Sequence, residues 1–173
     1  MARAGSLRDE GAAGALLMVV VMRRELRLAD LDALLGECRG LYESGYERRG
    51  KWSLGQMCCH LRLTMESNMR GYPRWMTVMG WPLRPVLRRF ALPRILDGRS
   101  INGVKTAGMF VPAEGLDDGE ELAKLERCVA AFRGWSEELH AHPGFGAMSK
   151  DGFERFHAAH GAHHLGFLVP LTE

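Results

Sequence analysis

Four of the chain's seven histidines fall in one stretch, Phe153–Phe167 (FERFHAAHGAHHLGF). Read as a helix, it sets His160 and His164 one turn apart and about 40° from each other around the axis, with His157 a turn earlier on the same face. Two imidazoles at that spacing can grip one divalent ion, and a third ligand completes the set. His60, in the run Trp52–His60 (WSLGQMCCH), is the one histidine away from the C-terminal third. A site of His60, His160 and His164 therefore requires the helix carrying His60 to lie against the helix carrying the pair. His163 points about 100° away from His164 and is read as a non-ligand. Three roles stay open for His157: support behind a ligand, proton shuttle, or fourth ligand.

A plainer reading competes with this one. A single histidine on an apolar stripe is an ordinary hydrogen-bonded core residue, and the cluster can be packing alone. Against that, three of these residues stand where core-facing Leu or Ile is expected, and burying imidazoles without partners costs about 1–3 kcal/mol each. A metal would supply the partner. Gly161 and Gly166 are read as lying inside the helix, where each costs about 1 kcal/mol relative to Ala. They either leave room beside a metal-bound substrate or let two helices approach closely.

The elements that must position these side chains are helical. After an Asp30 cap, Leu31, Leu34, Leu35, Cys38, Leu41 and Tyr42 recur at helical spacing up to Gly45, predicting a first helix. Ser53 and Gln56 form a capping box, and Leu54, Met57, Cys58, Leu61 and Met65 follow, predicting a second helix over about Leu54–Arg70 with His60 beside its apolar stripe. Asp117-Asp118 opens a third, with Leu122, Leu125, Cys128 or Val129, Phe132, Trp135 and Leu139 as its buried stripe and His140–Gly146 closing it. Ser149 caps a fourth, which carries the cluster and runs until Pro170. Between the second and third, Pro73–Pro112 holds five prolines and reads as a long irregular crossover with a short helix over Val86–Ala91 and a glycine-containing loop from Asp97. No strand pattern is visible. The expectation is an all-α four-helix bundle.

At 173 residues the chain is expected to form one domain, over residues 23–173, preceded by a disordered or mis-assigned extension at 1–22 whose true start is Met18 or Met22. The apolar run Ala15–Met22 is too short to cross a bilayer and lacks a small-residue cleavage site after it. A net charge of +2 gives no argument for nucleic acid, and the arginines gathered between Arg84 and Arg99 are read as a surface helix and loop rather than a phosphate patch. Cys38, Cys58, Cys59 and Cys128 show neither CxxC pairs nor the spacing of a disulfide framework, which points to buried thiols in a reducing cytoplasm; Cys59 is kept as an outside ligand candidate because it adjoins His60.

Three motifs together carry a resemblance: W-S-L-G-Q-x-x-x-H at Trp52–His60, H-P-G-F-G at His142–Gly146, and F-H-x-x-H-x-x-H-H-L at Phe156–Leu165. The combination resembles the DinB-like superfamily, and more closely a bacterial subgroup of it known only as a domain of unknown function, over about Arg24–Pro170. That resemblance implies a DinB-like four-helix bundle in which His60, His160 and His164 converge on a divalent metal. It also implies a relation to metal-dependent transferases and isomerases that use low-molecular-weight thiols such as bacillithiol or mycothiol. The long proline-rich crossover departs from those enzymes and leaves the substrate open.

Three neutral imidazoles leave a divalent ion its full charge and an open position. A thiol bound there becomes a thiolate able to attack an electrophilic small-molecule substrate, and water activation is the variant the same donors permit. Zinc suits the set, and imidazole accepts nickel, iron(II) and manganese as well. The expected function is thus a divalent-metal-dependent thiol S-transferase or hydrolase. The alternatives are a non-catalytic or stress-related bundle whose metal is structural or vestigial, and a dimeric interaction protein whose histidines merely pack. A homodimer through helix faces fits such a bundle; no nucleic-acid or membrane partner is indicated.

Overall fold

A computed structural model describes residues 23–99 and 106–171. The expectation for residues 1–22 and part of the glycine-containing loop lie outside the described residues. The protein is mostly helical, in the order α1 (Leu31–Ser44), β1 (Tyr46–Arg48), α2 (Leu54–Arg70), α3 (Arg74–Gly80), α4 (Arg84–Val86), α5 (Leu92–Leu96), α6 (Asp118–Gly134), α7 (Lys150–Leu165) and β2 (Leu168–Pro170).

Local chemistry explains the starts of the long helices. Asp30 caps α1 by accepting from the Ala33 amide at 2.8 Å. The capping box of α2 is complete: Gln56 N donates to Ser53 Oγ at 3.2 Å, and the Gln56 side chain accepts from Ser53 N at 3.0 Å. Asp118 adds to it from another helix, accepting from Gly55 N and from the Tyr46 hydroxyl, both at 2.7 Å. A carboxylate thus sits on the positive end of α2 and ties it to the start of α6. Ser149 caps α7 through Gly152 N at 3.1 Å.

One apolar core joins α1, α2, α6 and α7. Leu34, Leu54, Leu125, Phe132, Phe153 and Leu165 are wholly buried in it. All four cysteines are free and buried. Cys59 packs against Arg62, 3.7 Å from its guanidinium, on the side facing α6. It is not part of the histidine group.

Four expectations need correcting. A two-stranded antiparallel sheet is present, pairing Tyr46 with Pro170, Glu47 with Val169 and Arg48 with Leu168; three residues per strand are too few for alternation to show in sequence. Accordingly α7 stops at Leu165, with Gly166 as its C-cap rather than an interior residue. Helix α6 ends at Gly134, about one turn early, because Trp135 turns to extended backbone while Trp135 and Leu139 still pack on the core. The start of the crossover is helical rather than irregular. From Arg74 to Leu96 it runs through α3, a 3₁₀ turn (Trp81–Leu83), α4, a π-turn (Leu87–Ala91, within the stretch expected to form a short helix) and α5. Pro82, Pro85 and Pro93 each fall in the first two positions of a segment, where a missing N–H is tolerated, and the changes of pitch absorb them.

Candidate metal centre

Helix α2 supplies His60 and α7 supplies His160 and His164, and the two helices pack side by side. One ring nitrogen from each of these residues lies within 4.8 Å of the other two, forming a group that could hold a metal ion. His60 Nε2 is 3.3 Å from His160 Nε2, which is 3.0 Å from His164 Nε2. Tetrahedral bonds of about 2.0–2.1 Å set neighbouring nitrogens about 3.3 Å apart, so the spacing suits a small divalent ion.

The protonation of His60 is dictated by its neighbour. Its Nδ1 donates to the Phe110 carbonyl at 2.8 Å, which leaves Nε2 as a bare lone pair turned toward the other two rings. Burial pushes all three imidazoles below their ordinary range; for His160 and His164 the drop is large, and the nearby histidines add to it. They are therefore neutral donors at neutral pH. Aromatic rings hold them in place. Trp52 stacks on His164 at 5.4 Å and 23° and also meets His60 at 5.0 Å, while Phe156 stacks on His160 at 5.9 Å and 23°.

His163 turns aside. Arg23 Nη1 donates to its Nδ1 at 2.7 Å, and burial together with that positive charge lowers its pKa to about 4. His157 lies 1% exposed among Phe132, Phe153 and Phe156, and neither of its ring nitrogens has a partner among the described residues. It makes no hydrogen bond to the three-histidine group.

Burial lowers the pKa of His157 to about 3, so the folded protein holds it neutral while the unfolded chain would protonate it near 6.5. The part of its cost that is linked to protonation is therefore small above about pH 6.5 and grows as pH falls toward 3. Replacing it with Leu, close in volume, is expected to raise stability at pH 7 by about 1 kcal/mol, because two orphaned polar atoms disappear. The advantage should widen by about 1.4 kcal/mol per pH unit below about 6.5. Urea denaturation at pH 7 and pH 5 checks both; a variant less stable at both values would show that His157 has a partner it needs.

The three histidines open onto a cavity of about 420 Å³ with mostly apolar walls, lined also by Met76, Leu87 and Ile95 of the crossover and by the turn His142–Phe145. In that turn His142 Nδ1 accepts from the amides of Gly144 and Phe145 at 3.1 and 3.2 Å. The ring proton must then sit on Nε2, and burial, aided by the charge of Arg84, keeps the ring neutral with a pKa of about 4. Paired backbone bonds between His142 and Gly146 close the turn, where Gly146 adopts φ +78°, and Arg84 and Arg88 clamp it from the crossover by donating to the Pro143, Phe145 and Ala147 carbonyls. The sequence marks H-P-G-F-G as a turn, and the structure adds that this turn borders the cavity; Trp52 and the Phe110 carbonyl are site groups that no local sequence signal marks. The glycines are accounted for by packing: a Cβ on Gly161 would collide with Leu34 Cδ1, and one on Gly166 would come within 2.8 Å of Arg23 Cγ.

No curated protein and no solved structure matches the chain significantly. No helix among the described residues is long and apolar enough to cross a membrane. Residues 20–171 match the family model described as "Protein of unknown function (DUF1569)", and the chain belongs to that family.

Proposed function

We propose that the protein is a divalent-metal-dependent enzyme of DinB-like four-helix-bundle type that activates a low-molecular-weight thiol for transfer to a small electrophile. The observation that carries this reading is the convergence of three neutral imidazole nitrogens, spaced for one small ion, at the end of an apolar cavity. The packing of α1, α2, α6 and α7 around one core supports the bundle, and the DinB-like motifs support the ligand set. His60, His160 and His164 would hold the ion. When bound, a divalent cation supplies Lewis acidity that lowers the pKa of a coordinated thiol or water. Zinc fits the donors best, with nickel, iron(II) and manganese as further candidates.

The chain's own groups do the rest. Trp52 and Phe156 fix the imidazole planes, and Phe110 O fixes the His60 tautomer. The apolar walls exclude water and favour an uncharged substrate. His142 borders the cavity with a permanent Nε2–H, a donor suited to an acceptor oxygen of the substrate. Hydrolysis by activated water is the second reading, since the same donors serve it. A structural or vestigial ion is the non-catalytic one, and the cavity beside the three histidines argues against it.

Cobalt(II) spectroscopy tests the thiol reading. The cobalt-loaded protein should gain a near-ultraviolet thiolate-to-metal absorption when a small thiol is added. A spectrum that ignores thiols yet changes with pH would instead assign water to the open position; one that ignores both would mean a closed site.

A further inference from the structure

The crossover segment Arg74–Leu96 has two apolar faces. Its inner face, through Met76, Leu87, Ala91 and Ile95, roofs the cavity. Its outer face is open: of the twelve large hydrophobic side chains exposed among the described residues, eight fall between Trp75 and Leu96. Trp75, Met79, Leu83, Val86 and Phe90 recur every three or four residues along this run of short helical pieces, and Trp75, Trp81 and Phe90 are 59%, 68% and 62% exposed. Water-facing tryptophan and phenylalanine at that density mark an interaction surface.

Charge identifies what it fits. Between Gly71 and Leu96 the only charged residues are Arg74, Arg84, Arg88, Arg89 and Arg94. The net charge of +2 conceals this, because acids elsewhere balance it. Arg84 and Arg88 are engaged by the His142 turn, and a two-fold contact between copies of this face would set Arg74, Arg89 and Arg94 against the same three with no carboxylate from the segment between them. Single-stranded nucleic acid would stack on the aromatic rings but gain nothing from Val78, Met79, Leu83 and Val86. Aliphatic side chains, exposed tryptophans and arginines with no carboxylate in the same segment together are the features of a helical segment lying in the plane of an anionic bilayer surface.

We propose that the outer face of Arg74–Leu96 docks peripherally on anionic lipid membranes, with Trp75, Trp81 and Phe90 at headgroup depth and Arg74, Arg89 and Arg94 against lipid phosphates. The protein lies on the bilayer and does not span it. The docking needs no metal and stands apart from the thiol reading.

The test is co-sedimentation of the full chain with vesicles of phosphatidylglycerol and phosphatidylcholine, against vesicles of phosphatidylcholine alone, at low ionic strength. Expected is binding to the anionic vesicles with a blue shift of tryptophan emission. It should weaken at least about tenfold in Trp75→Ser/Trp81→Ser/Phe90→Ser and in Arg74→Gln/Arg89→Gln/Arg94→Gln. Arg84 and Arg88 are left in place because they clamp the His142 turn. Circular dichroism confirms that these surface variants fold. The proposal is overturned if the protein stays in the supernatant, if it binds both vesicle types equally, or if the apolar triple variant binds like the wild type. Sedimentation equilibrium showing a dimer that this variant dissociates, without vesicle binding, would assign the face to a second copy instead. Displacement from vesicles by an oligonucleotide at matched ionic strength would assign it to nucleic acid.

Discussion

Purified without a histidine tag and reconstituted, the protein is expected to hold about one equivalent of a divalent ion, and His60→Gln, His160→Gln and His164→Gln are each expected to lose it. Removing a hydrogen-bond partner behind a ligand commonly weakens metal affinity about 10- to 100-fold, so removing a ligand should cost at least about a hundredfold. Each variant should stay folded, because the core of α1, α2, α6 and α7 is built from other residues and glutamine fills much of the imidazole's volume. Ion binding should also stabilise the wild type. At a hundredfold excess over Kd the gain is about 2.7 kcal/mol, and each kcal/mol is worth about 2–4 °C in Tm for a chain of this size. Elemental analysis and thermal melts of wild type and variants read both effects. If the wild type takes up no zinc, nickel, iron(II) or manganese, or if a variant at one of the three positions retains wild-type affinity, the site does not act as one centre and the enzyme reading falls. His163→Gln serves as the control, since Arg23 already engages that ring.

The second large effect concerns Gly161. Alanine is favoured over glycine in a helix by about 1 kcal/mol, so Gly161→Ala would ordinarily stabilise. Here the new methyl lands on Leu34 Cδ1, and Leu34 is wholly buried between α1 and α7. Overpacking of that kind costs about 1–3 kcal/mol and should outweigh the gain, leaving a net loss of up to about 2 kcal/mol. Leu34→Ala alone should cost about 2–5 kcal/mol. Together the two changes should cost clearly less than their sum, with a coupling of about 1–3 kcal/mol, because each makes room for the other. Urea denaturation of the two single variants and the double supplies the cycle. Strict additivity would show that α1 and α7 relax around the added methyl. Metal affinity should be untouched in Gly161→Ala, whereas a glycine kept for room beside a bound substrate would pass its loss to the site.

Much of the scaffold was legible where a few adjacent residues decide the outcome. The Ser53–Gln56 box, the Asp30 cap and the Ser149 cap each involve partners three residues apart, so composition alone marks where α2, α1 and α7 begin. The end of α6 was not legible, since Trp135 and Leu139 keep the apolar rhythm while packing from extended backbone. The run Arg74–Leu96 misled for a related reason: its prolines signal breaks, yet each occupies a position where a helix tolerates it. Within the candidate site, His60, His160 and His164 could be picked out because two of them share a helical spacing and the third stands nearly alone in the sequence. What holds them could not. The Phe110 carbonyl that orients His60 is 50 residues away, and the Arg23 that engages His163 is 140 residues away, and no local pattern records such contacts.

The small sheet bears on how quickly the molecule can assemble. Strand β2 pairs with β1 from Leu168–Pro170 back to Tyr46–Arg48, and His60 meets His160 across 100 residues. Contacts at such separation require closing very long loops before any of them is repaid, which places the protein toward the slow end for a helical domain. Individual helices can form early, but the three imidazoles face one another only once α7 has come to rest against α2. The centre is therefore expected to complete late as the chain folds, so that an ion binding there would act as a latch on a nearly finished structure rather than as a seed for it.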